Sequence, residues 1–219
     1  MILGDTLSCK IYLIRHGQSL GNLNATFLGH TDLDLSPLGY SQAEMSCKYL
    51  LDKGIDVVYS SDLIRAFNTS KPLCDALGLK AIKNRNFREI YAGLWEGKTF
   101  NYLTETYPET YSVWRNDIGN AKIDDGETVQ ELYHRITTEI KKIASECDGK
   151  TVAIFTHATP IRALYCFCNG LSVTNMKDIG WCTNASVSTV RFSDGCFKME
   201  QYGFDEFLGE MGTKLPKNV

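Results

Sequence analysis

The sequence of 219 residues predicts an α/β layered fold with a largely parallel sheet. Two observations indicate this fold. Short apolar runs, typical of buried strands, alternate with segments that have helix start and stop signals, and two strand-like runs near the end resemble a closing hairpin. A composition of 43% hydrophobic and 22% charged residues fits one globular domain, long enough to bury a substantial core.

The first strand and the first long helix follow from local signals. "KIYLIRH", from Lys10 to His16, is apolar without polar alternation, which predicts a strand buried on both faces. Ser36 as N-cap and Pro37 at the first helical position predict the start of a helix, and Gly54 lies past its end.

The middle of the chain continues the alternation. "DVVYSS", residues 56–61, predicts a second strand, and Asp62 is positioned to cap a helix that ends near Gly78. A long amphipathic helix is predicted from about Glu127 to Cys147.

A third strand and a hairpin complete the chain. "KTVAIFTH" is a strand that ends on His157, and Thr159 and Pro160 open the helix after it. "SVSTVRF" and "CFKMEQYG" predict the hairpin.

Charge and cysteine usage exclude several classes of function. A net charge of −3 and a pI near 5.8 give no basic field for nucleic acid or an anionic membrane. No cleavage signal and no membrane span are present, so we expect a cytoplasmic protein. The eight cysteines are scattered without a CxxC pair, which argues against a zinc site and favours buried thiols in a reducing compartment.

Two of the four histidines, His16 and His157, close buried strands. The carboxyl ends of parallel strands meet at one edge of a sheet, where ligands collect, so these histidines could face one another. Arg15 beside His16 suggests an oxyanion site, because a guanidinium offers a fork of donors that matches phosphate. Gly17 would allow a close backbone approach, and Asn22 is either a neutral donor or a turn former. A single histidine at a strand end is more often structural.

Together these segments resemble the histidine phosphatase superfamily, the phosphoglycerate mutase-like proteins. "LIRHGQSLGN" resembles the family signature. Five further segments resemble the family's other landmarks in the same order, and the resemblance extends from about Lys10 to Val190. The segments are "GHTDLDLSPLGYSQA", "SSDLIRAFNT", "FREIYAGLWEG", "DGETVQELYHRI" and "THATPIRAL".

The resemblance implies a single domain, a three-layer α/β/α sandwich with a mostly parallel mixed sheet and a helical insertion over its carboxyl edge. It implies that His16 is a nucleophile that forms a phosphohistidine and that Glu89 protonates the leaving group. No metal and no cofactor are implied, and the partner is a small phosphorylated metabolite. The phosphoryl oxygens would be bound by Arg15, Asn22, Arg65, His157 and the backbone N–H of Ala158.

The chain departs from the family pattern at two places, one of which concerns the geometry of the site and the other the type of reaction. Many relatives have two glycines after the second histidine, whereas this chain has Ala158 and Thr159; alanine keeps the N–H and alters the geometry only if its φ must be positive. Mutases typically have an acidic residue where this chain has Gln18, and "EIYAGLWEGKT" resembles the broad-specificity and α-ribazole phosphatases. Hydrolysis is therefore favoured over a cofactor-dependent phosphoglycerate mutase or a non-catalytic phosphate-binding module.

Substrate specificity is expected to reside in the insertion, residues 90–149. Its aromatic residues either form a stacking wall or pack in the core. Arg162 and His134 are expected on helix surfaces, His30 could line the mouth of the pocket, and Glu89 could instead pair with Arg88. The aromatic residues are Tyr91, Trp95, Tyr102, Tyr107, Tyr111 and Trp114.

Overall fold

The computed structural model describes residues 8–213. Within that range the chain forms eight strands and seven α-helices, joined by several short 3-10 turns. The strands are β1 Ser8–Arg15, β2 Thr26–Phe27, β3 Val57–Ser60, β4 Ile82–Lys83, β5 Lys98–Thr99, β6 Thr151–Thr156, β7 Val187–Ser193 and β8 Cys196–Phe204. The α-helices are α1 Leu20–Leu23, α2 Pro37–Leu50, α3 Ile64–Leu77, α4 Phe100–Thr106, α5 Pro108–Asn116, α6 Val129–Glu146 and α7 Ala158–Cys168.

Six strands form the central sheet in the order β4-β3-β6-β1-β7-β8. β1 lies parallel to β6, β6 to β3 and β3 to β4, whereas β7 and β8 add antiparallel pairs at the other edge. The predicted mixed, mostly parallel sheet is confirmed. β2 and β5 form a separate two-stranded sheet.

The two faces of β1 lie in different hydrophobic cores, as its uninterrupted apolar pattern predicts. Ile11 and Leu13 belong to the core that contains the buried residues of α6 and α7. Tyr12 and Ile14 belong to the core that contains Leu50 of α2 and buried residues of α3. Helices therefore cover both faces of the sheet, and the three-layer prediction is confirmed.

The starts of α2 and α6 have side-chain caps, whereas those of α3 and α7 do not. Helix α7 begins at Ala158, one residue before the predicted Thr159. The Gly39 N–H donates to Ser36 Oγ (3.1 Å) at the start of α2. Thr128 caps α6 with Glu131 in a reciprocal capping box, so α6 begins two residues after the predicted Glu127.

The prediction that Asp62 caps α3 is wrong. The N-cap position is Leu63, which makes no side-chain cap, and the Ile64 N–H donates to Asp32 Oδ1 (2.7 Å). Asp62 instead accepts two hydrogen bonds from Arg88, a long-range ion pair that no local pattern encodes.

Cysteine placement agrees with the expectation of buried thiols. All eight cysteines are free, and only Cys196 is exposed. Burial raises the pKa of Cys9 and of Cys168 to about 12, so both thiols stay protonated and unreactive at neutral pH. None of the helices between residues 8 and 213 is long and apolar enough to cross a membrane.

Candidate active site

His16 follows β1 directly and is fixed at the carboxyl edge of the sheet. Its N–H donates to Thr156 O (3.0 Å), and its carbonyl accepts the Ala185 N–H (3.1 Å). The ring Nδ1 lies 2.7 Å from Gly17 O; only a protonated Nδ1 can donate to a carbonyl, so Nε2 carries the free lone pair. Burial, with smaller effects of Arg65 and Arg15, lowers the pKa of His16 well below its usual range. The imidazole is therefore neutral and nucleophilic at pH 7.

His157 follows β6, the parallel neighbour of β1, and faces His16. The two ring centroids are 5.1 Å apart, with 60° between the ring planes. Nε2 of His157 lies 2.9 Å from Ser61 Oγ, and Nδ1 is buried without a hydrogen-bond partner among the described residues. Burial and the charge of Arg65 lower the pKa of His157, so this ring is also neutral.

Two buried arginines lie next to the histidines. The Arg15 Nη1 donates to Cys182 O. The Arg65 Nη1 donates to Thr31 O (2.9 Å) and its Nη2 to Gly29 O (2.7 Å). No carboxylate within residues 8–213 forms an ion pair with either guanidinium, and both Nε atoms are buried without a partner. Burial lowers the pKa of Arg65 only to about 10, so the site keeps two positive charges at pH 7.

Glu89 lies in the cleft together with these residues. Its Oε1 accepts the N–H of Ile90 (2.8 Å) and its Oε2 the N–H of Thr159 (3.3 Å), in the first turn of α7. The alternative that Glu89 pairs with Arg88 is wrong, because Arg88 binds both oxygens of Asp62 at 2.7 Å.

The backbone on either side of the cleft is held by His30 and by two residues that the sequence analysis did not identify, Arg135 and Glu96. The Glu89 carbonyl accepts hydrogen bonds from His30 Nε2 (3.0 Å) and Arg135 Nη2 (2.9 Å). Glu96 accepts the N–H groups of His30 (2.6 Å), Thr31 (2.7 Å) and Ala92 (2.9 Å). Glu96 thus fixes the loop whose carbonyls bind Arg65.

Asn22 and Ala158 present neutral donors to the same cleft. Asn22 Oδ1 accepts the Ser19 N–H and the Asn184 Nδ2, each at 3.1 Å, which leaves its own amide NH₂ available. Ala158 is the first residue of α7 and has no positive φ, so alanine fits this position without strain. The Thr159 N–H already donates to Glu89, so the N–H of Ala158 is the donor that the start of α7 offers to an anion.

Gly17 allows a close approach, although to backbone rather than to a ligand. A Cβ on Gly17 would lie 2.4 Å from the Gly39 carbonyl oxygen, and a Cβ on Gly39 would lie 2.0 Å from the Gln18 carbonyl oxygen. The loop after β1 and the first turn of α2 are therefore in direct backbone contact.

The cleft has an empty volume of about 560 Å³ and a polar and an apolar part. Arg15, His16, Arg65 and Glu89 line the polar part. Four aromatic residues line the apolar part and are called the aromatic wall below. The aromatic wall is Phe27, Phe100, Trp114 and Trp181.

Six of the seven predicted site residues line this one cleft. The seventh, His157, is fully buried and packs against His16 beside the cleft, and the roles of all seven stay predictions. Of the six Tyr and Trp residues named for the insertion, only Trp114 lines the cleft, and Phe100 of the same segment lines it as well. Trp95 and Tyr111 are buried in the core, and Tyr91 is half exposed beside His30. His30 lines a separate groove. His134 is exposed, as expected.

The expectation that Arg162 lies on the surface is wrong. The side chain is buried, its Nη2 donates to Met176 O, and its guanidinium carbon lies 4.0 Å from the centre of the Trp181 ring. Every residue of α7 but Tyr165 and Phe167 is buried, so this helix has no polar face on which an arginine could be exposed.

Ser61, Thr69 and Asn184 are supporting residues that were also missed. Thr69 Oγ1 accepts the Gly17 N–H (3.0 Å), and the Asn184 Nδ2 donates to the His16 carbonyl (3.2 Å). Ser61 follows β3 on the same edge as His16 and His157, which is the one signal that could have found it.

Comparison with known proteins agrees with this arrangement. The sequence pattern of the "Histidine phosphatase superfamily (branch 1)" matches residues 11–205. The chain is similar to phosphoserine phosphatase 1 of Hydrogenobacter thermophilus, with 30% identity over 96% of this chain and 99% of that protein. It is also similar to the glucosyl-3-phosphoglycerate phosphatase of Mycolicibacterium vanbaalenii, with 29% identity over 81% of each chain.

A solved structure gives the same result at the level of the fold. The mycobacterial glucosyl-3-phosphoglycerate phosphatase in complex with VO3 superimposes with a TM-score of 0.82 and 26% identity, over 90% of this chain and 99% of that one. Because the family pattern covers most of the chain, and its landmark residues meet in one cleft, this protein belongs to branch 1 of the histidine phosphatase superfamily.

Proposed function

We propose that this protein is a phosphatase that hydrolyses a small phosphomonoester through a phosphohistidine on His16. One observation carries the proposal: the free Nε2 of a neutral His16 lies in a cleft that also contains two arginines without carboxylate partners and the carboxyl group of Glu89. A nucleophile, cations for the phosphoryl oxygens and a proton donor are what a two-step phosphoryl transfer needs.

In the first step the lone pair of His16 Nε2 attacks phosphorus, and the bond between phosphorus and the ester oxygen breaks. Glu89 in its protonated form transfers a proton to that oxygen, which leaves as an alcohol. Arg15 and Arg65 stabilise the charge on the remaining phosphoryl oxygens. Once Nε2 is bonded to phosphorus, the Gly17 carbonyl keeps the Nδ1 proton of the ring in place.

In the second step water attacks the phosphohistidine from the side of the departed alcohol. Glu89, now a carboxylate, takes a proton from that water, and the bond between Nε2 and phosphorus breaks. Inorganic phosphate, neutral His16 and protonated Glu89 are regenerated. His157 assists both steps if Ser61 donates to its Nε2, because Nδ1 then carries a proton that can bind a phosphoryl oxygen.

The reaction as proposed needs no metal ion, because arginines supply the positive charge. Within residues 8–213, no group of three or more His, Cys, Asp or Glu side chains is placed to hold a metal. Seven buried free thiols support a reducing, cytoplasmic location as part of the proposal.

The names of the relatives support hydrolysis of a small phosphorylated metabolite. Helices α4 and α5, within residues 90–149, contribute Phe100 and Trp114 to the cleft, which supports a role of this segment in substrate choice. Phosphoryl transfer back to a bound phosphoglycerate, or binding without turnover, are the alternatives that the experiment must separate.

The test is to trap the covalent intermediate with a ³²P-labelled phosphomonoester and a rapid alkaline quench. We expect base-stable, acid-labile label on the native protein, no label on His16→Ala, and label on His16 with slow turnover in His157→Ala. His134→Ala, an exposed histidine, is the matched control and should label normally.

Three results would overturn the proposal. Label that persists in His16→Ala would show that another residue is the nucleophile. Absence of label and of phosphate release with every monoester would favour a binding module, and 2-phosphoglycerate as the main product from 3-phosphoglycerate would favour a mutase.

A further inference from the structure

We propose that the preferred substrates are phosphomonoesters whose alcohol portion is apolar and uncharged, with an aromatic or similarly bulky group. This inference rests on the proposed function and concerns the substrate class that the same cleft accepts. Its basis is the separation of the cleft into a cationic part around His16 and the aromatic wall.

The two negative charges of the phosphoryl group are enough to balance the positive charge of the cleft. Arg15 and Arg65 are the only Lys or Arg side chains among the described residues that line it, and a bound phosphate dianion balances their two charges. The nearby Arg88 is paired with Asp62. Arg162 has no carboxylate partner within residues 8–213, but it is buried against the Trp181 ring and does not line the cleft. Among the described residues that line the cleft, a second negative charge on the substrate would therefore find no further cation.

The remaining lining of the cleft disfavours a carboxylate on the leaving group. Such a group would lie against the aromatic wall and near the carboxyl group of Glu89. A charge that is moved out of water without a partner is costly, whereas apolar surface gains free energy there. The amide NH₂ of Asn22 can bind a hydroxyl or carbonyl oxygen but does not neutralise an anion, and the Thr26 hydroxyl already donates to Asn24 O (3.3 Å).

The aromatic wall is built to keep its shape. Phe27 packs edge-to-face against Trp114, with ring centroids 5.1 Å apart, and Trp114 lies 6.2 Å from Trp181. The Arg162 guanidinium supports Trp181 from α7 at 4.0 Å. Phe27, Phe100 and Trp114 are each at most 8% exposed, so three of the four rings are held by packing. The one buried polar atom of the wall without a partner among the described residues is the neutral Nε1–H of Trp114.

This substrate class differs from that of the similar proteins. Phosphoserine and glucosyl-3-phosphoglycerate, the compounds in the names of two relatives, each carry a carboxylate in addition to the phosphate. The chain is 30% identical to the first of those relatives, so the lining of the cleft has room to differ.

The test compares benzyl phosphate with 4-carboxybenzyl phosphate, which share a ring and a leaving oxygen and differ by one negative charge. We expect kcat/KM to favour benzyl phosphate by roughly 10- to 100-fold, the size of the penalty for an unpaired buried polar or charged group. Benzyl phosphate should also be preferred over ethyl phosphate and over O-phospho-L-serine.

Two variants locate the effect in the cleft. Thr26 is half-buried and lines the cleft, so Thr26→Lys supplies the missing cation and should reduce the preference for benzyl phosphate by about tenfold. Thr26→Met is the matched control, because methionine is similar in length to lysine but uncharged. It should leave the preference for benzyl phosphate over 4-carboxybenzyl phosphate intact. Trp181→Leu should lower kcat/KM for benzyl phosphate roughly 3- to 10-fold and change that for ethyl phosphate far less.

The outcomes separate this inference from the proposed function. Hydrolysis of 4-carboxybenzyl phosphate or phosphoserine as fast as benzyl phosphate would overturn the inference while the proposed phosphatase activity stands. A preference that Thr26→Lys and Thr26→Met change equally would also overturn it, because charge would then not be the cause. Failure to hydrolyse any of the four esters would reject the proposed function and this inference with it.

Discussion

Arg88 forms a two-point ion pair with Asp62, with both N–O distances at 2.7 Å, and leaves the neighbouring Glu89 without a cationic partner on its own segment. A carboxyl group that acts as a general acid must hold a proton before the ester bond breaks. A direct pair with a guanidinium would favour its ionised form. The Arg88–Asp62 pair therefore keeps the adjacent arginine away from the proposed acid.

The first prediction concerns Glu89→Gln. An alkyl phosphate leaves as a strongly basic alkoxide and needs the proton, whereas p-nitrophenolate is stable without it. We expect kcat/KM for an alkyl phosphate to fall roughly 10²- to 10⁴-fold, the typical contribution of a positioned acid, with a much smaller loss for p-nitrophenyl phosphate. The ratio kcat/KM must be compared, because the later hydrolysis step is common to both substrates.

Glu105→Gln is the matched control, since Glu105 is an exposed carboxylate on α4. Equal losses on both substrates in Glu89→Gln would argue that Glu89 is a structural carboxylate and that the proton comes from another group.

The second prediction is that excess EDTA leaves the rate of hydrolysis unchanged. The charges facing the phosphoryl group belong to Arg15 and Arg65, which a chelator cannot remove. The rate should be measured after prolonged incubation with EDTA and again after addition of Mg²⁺ or Zn²⁺. A rate that is lost to EDTA and restored by either ion would contradict the metal-independent mechanism.

The third prediction is that the folded protein loses stability as the pH falls below about 6.5, the ordinary pKa of histidine. The folded-state pKa values of His16 and His157 are lowered, so below that pH the unfolded chain binds protons that the folded protein does not. These two groups should reduce the free energy of unfolding by about 2–3 kcal/mol between pH 7.5 and pH 5.5.

Urea unfolding in phosphate-free buffer across this pH range measures the effect. His16→Gln should remove about half of the pH-dependent loss, whereas His134→Gln, which changes an exposed histidine, should remove none of it. An unchanged slope in His16→Gln would mean that His16 ionises in the folded protein much as it does in the unfolded chain.

The fourth prediction assigns a positioning role to Glu96. In Glu96→Gln an amide NH₂ would face backbone N–H groups of His30, Thr31 or Ala92, so the loop that binds Arg65 should shift. We expect kcat/KM to fall roughly 10- to 100-fold. The inhibition constant of inorganic phosphate should rise in parallel, because Arg65 is proposed to bind phosphate. A loss of activity with unchanged phosphate inhibition would contradict the prediction that Glu96 acts by positioning Arg65.

The sequence alone could place both histidines, because each closes an apolar run and parallel strands end at the same edge of a sheet. The capping residue Ser36 likewise predicted the start of α2, since that signal is local. The roles of Glu89 and Arg65 came only from the resemblance to the family, because neither residue stands out in its local pattern.

Other features depend on contacts between distant segments and were missed or wrong. Asp62 is a good N-cap residue by type but is engaged by Arg88, which is 26 positions away. Arg162 was expected on the surface because isolated helices have a polar face, whereas α7 is enclosed by neighbouring elements. Asn184 supports His16 from 168 positions away, a relationship that no spacing in one sequence can reveal.

The backbone contact between Gly17 and Gly39 has a consequence for how this site tolerates change elsewhere. Because main chain meets main chain there, no side chain lies between the loop after His16 and the first turn of α2. Substitutions that repack the cores on either face of the sheet can alter stability while this spacing stays the same. Substitutions in the hydrophobic cores can therefore accumulate with little change in the position of His16 at the carboxyl edge of the sheet.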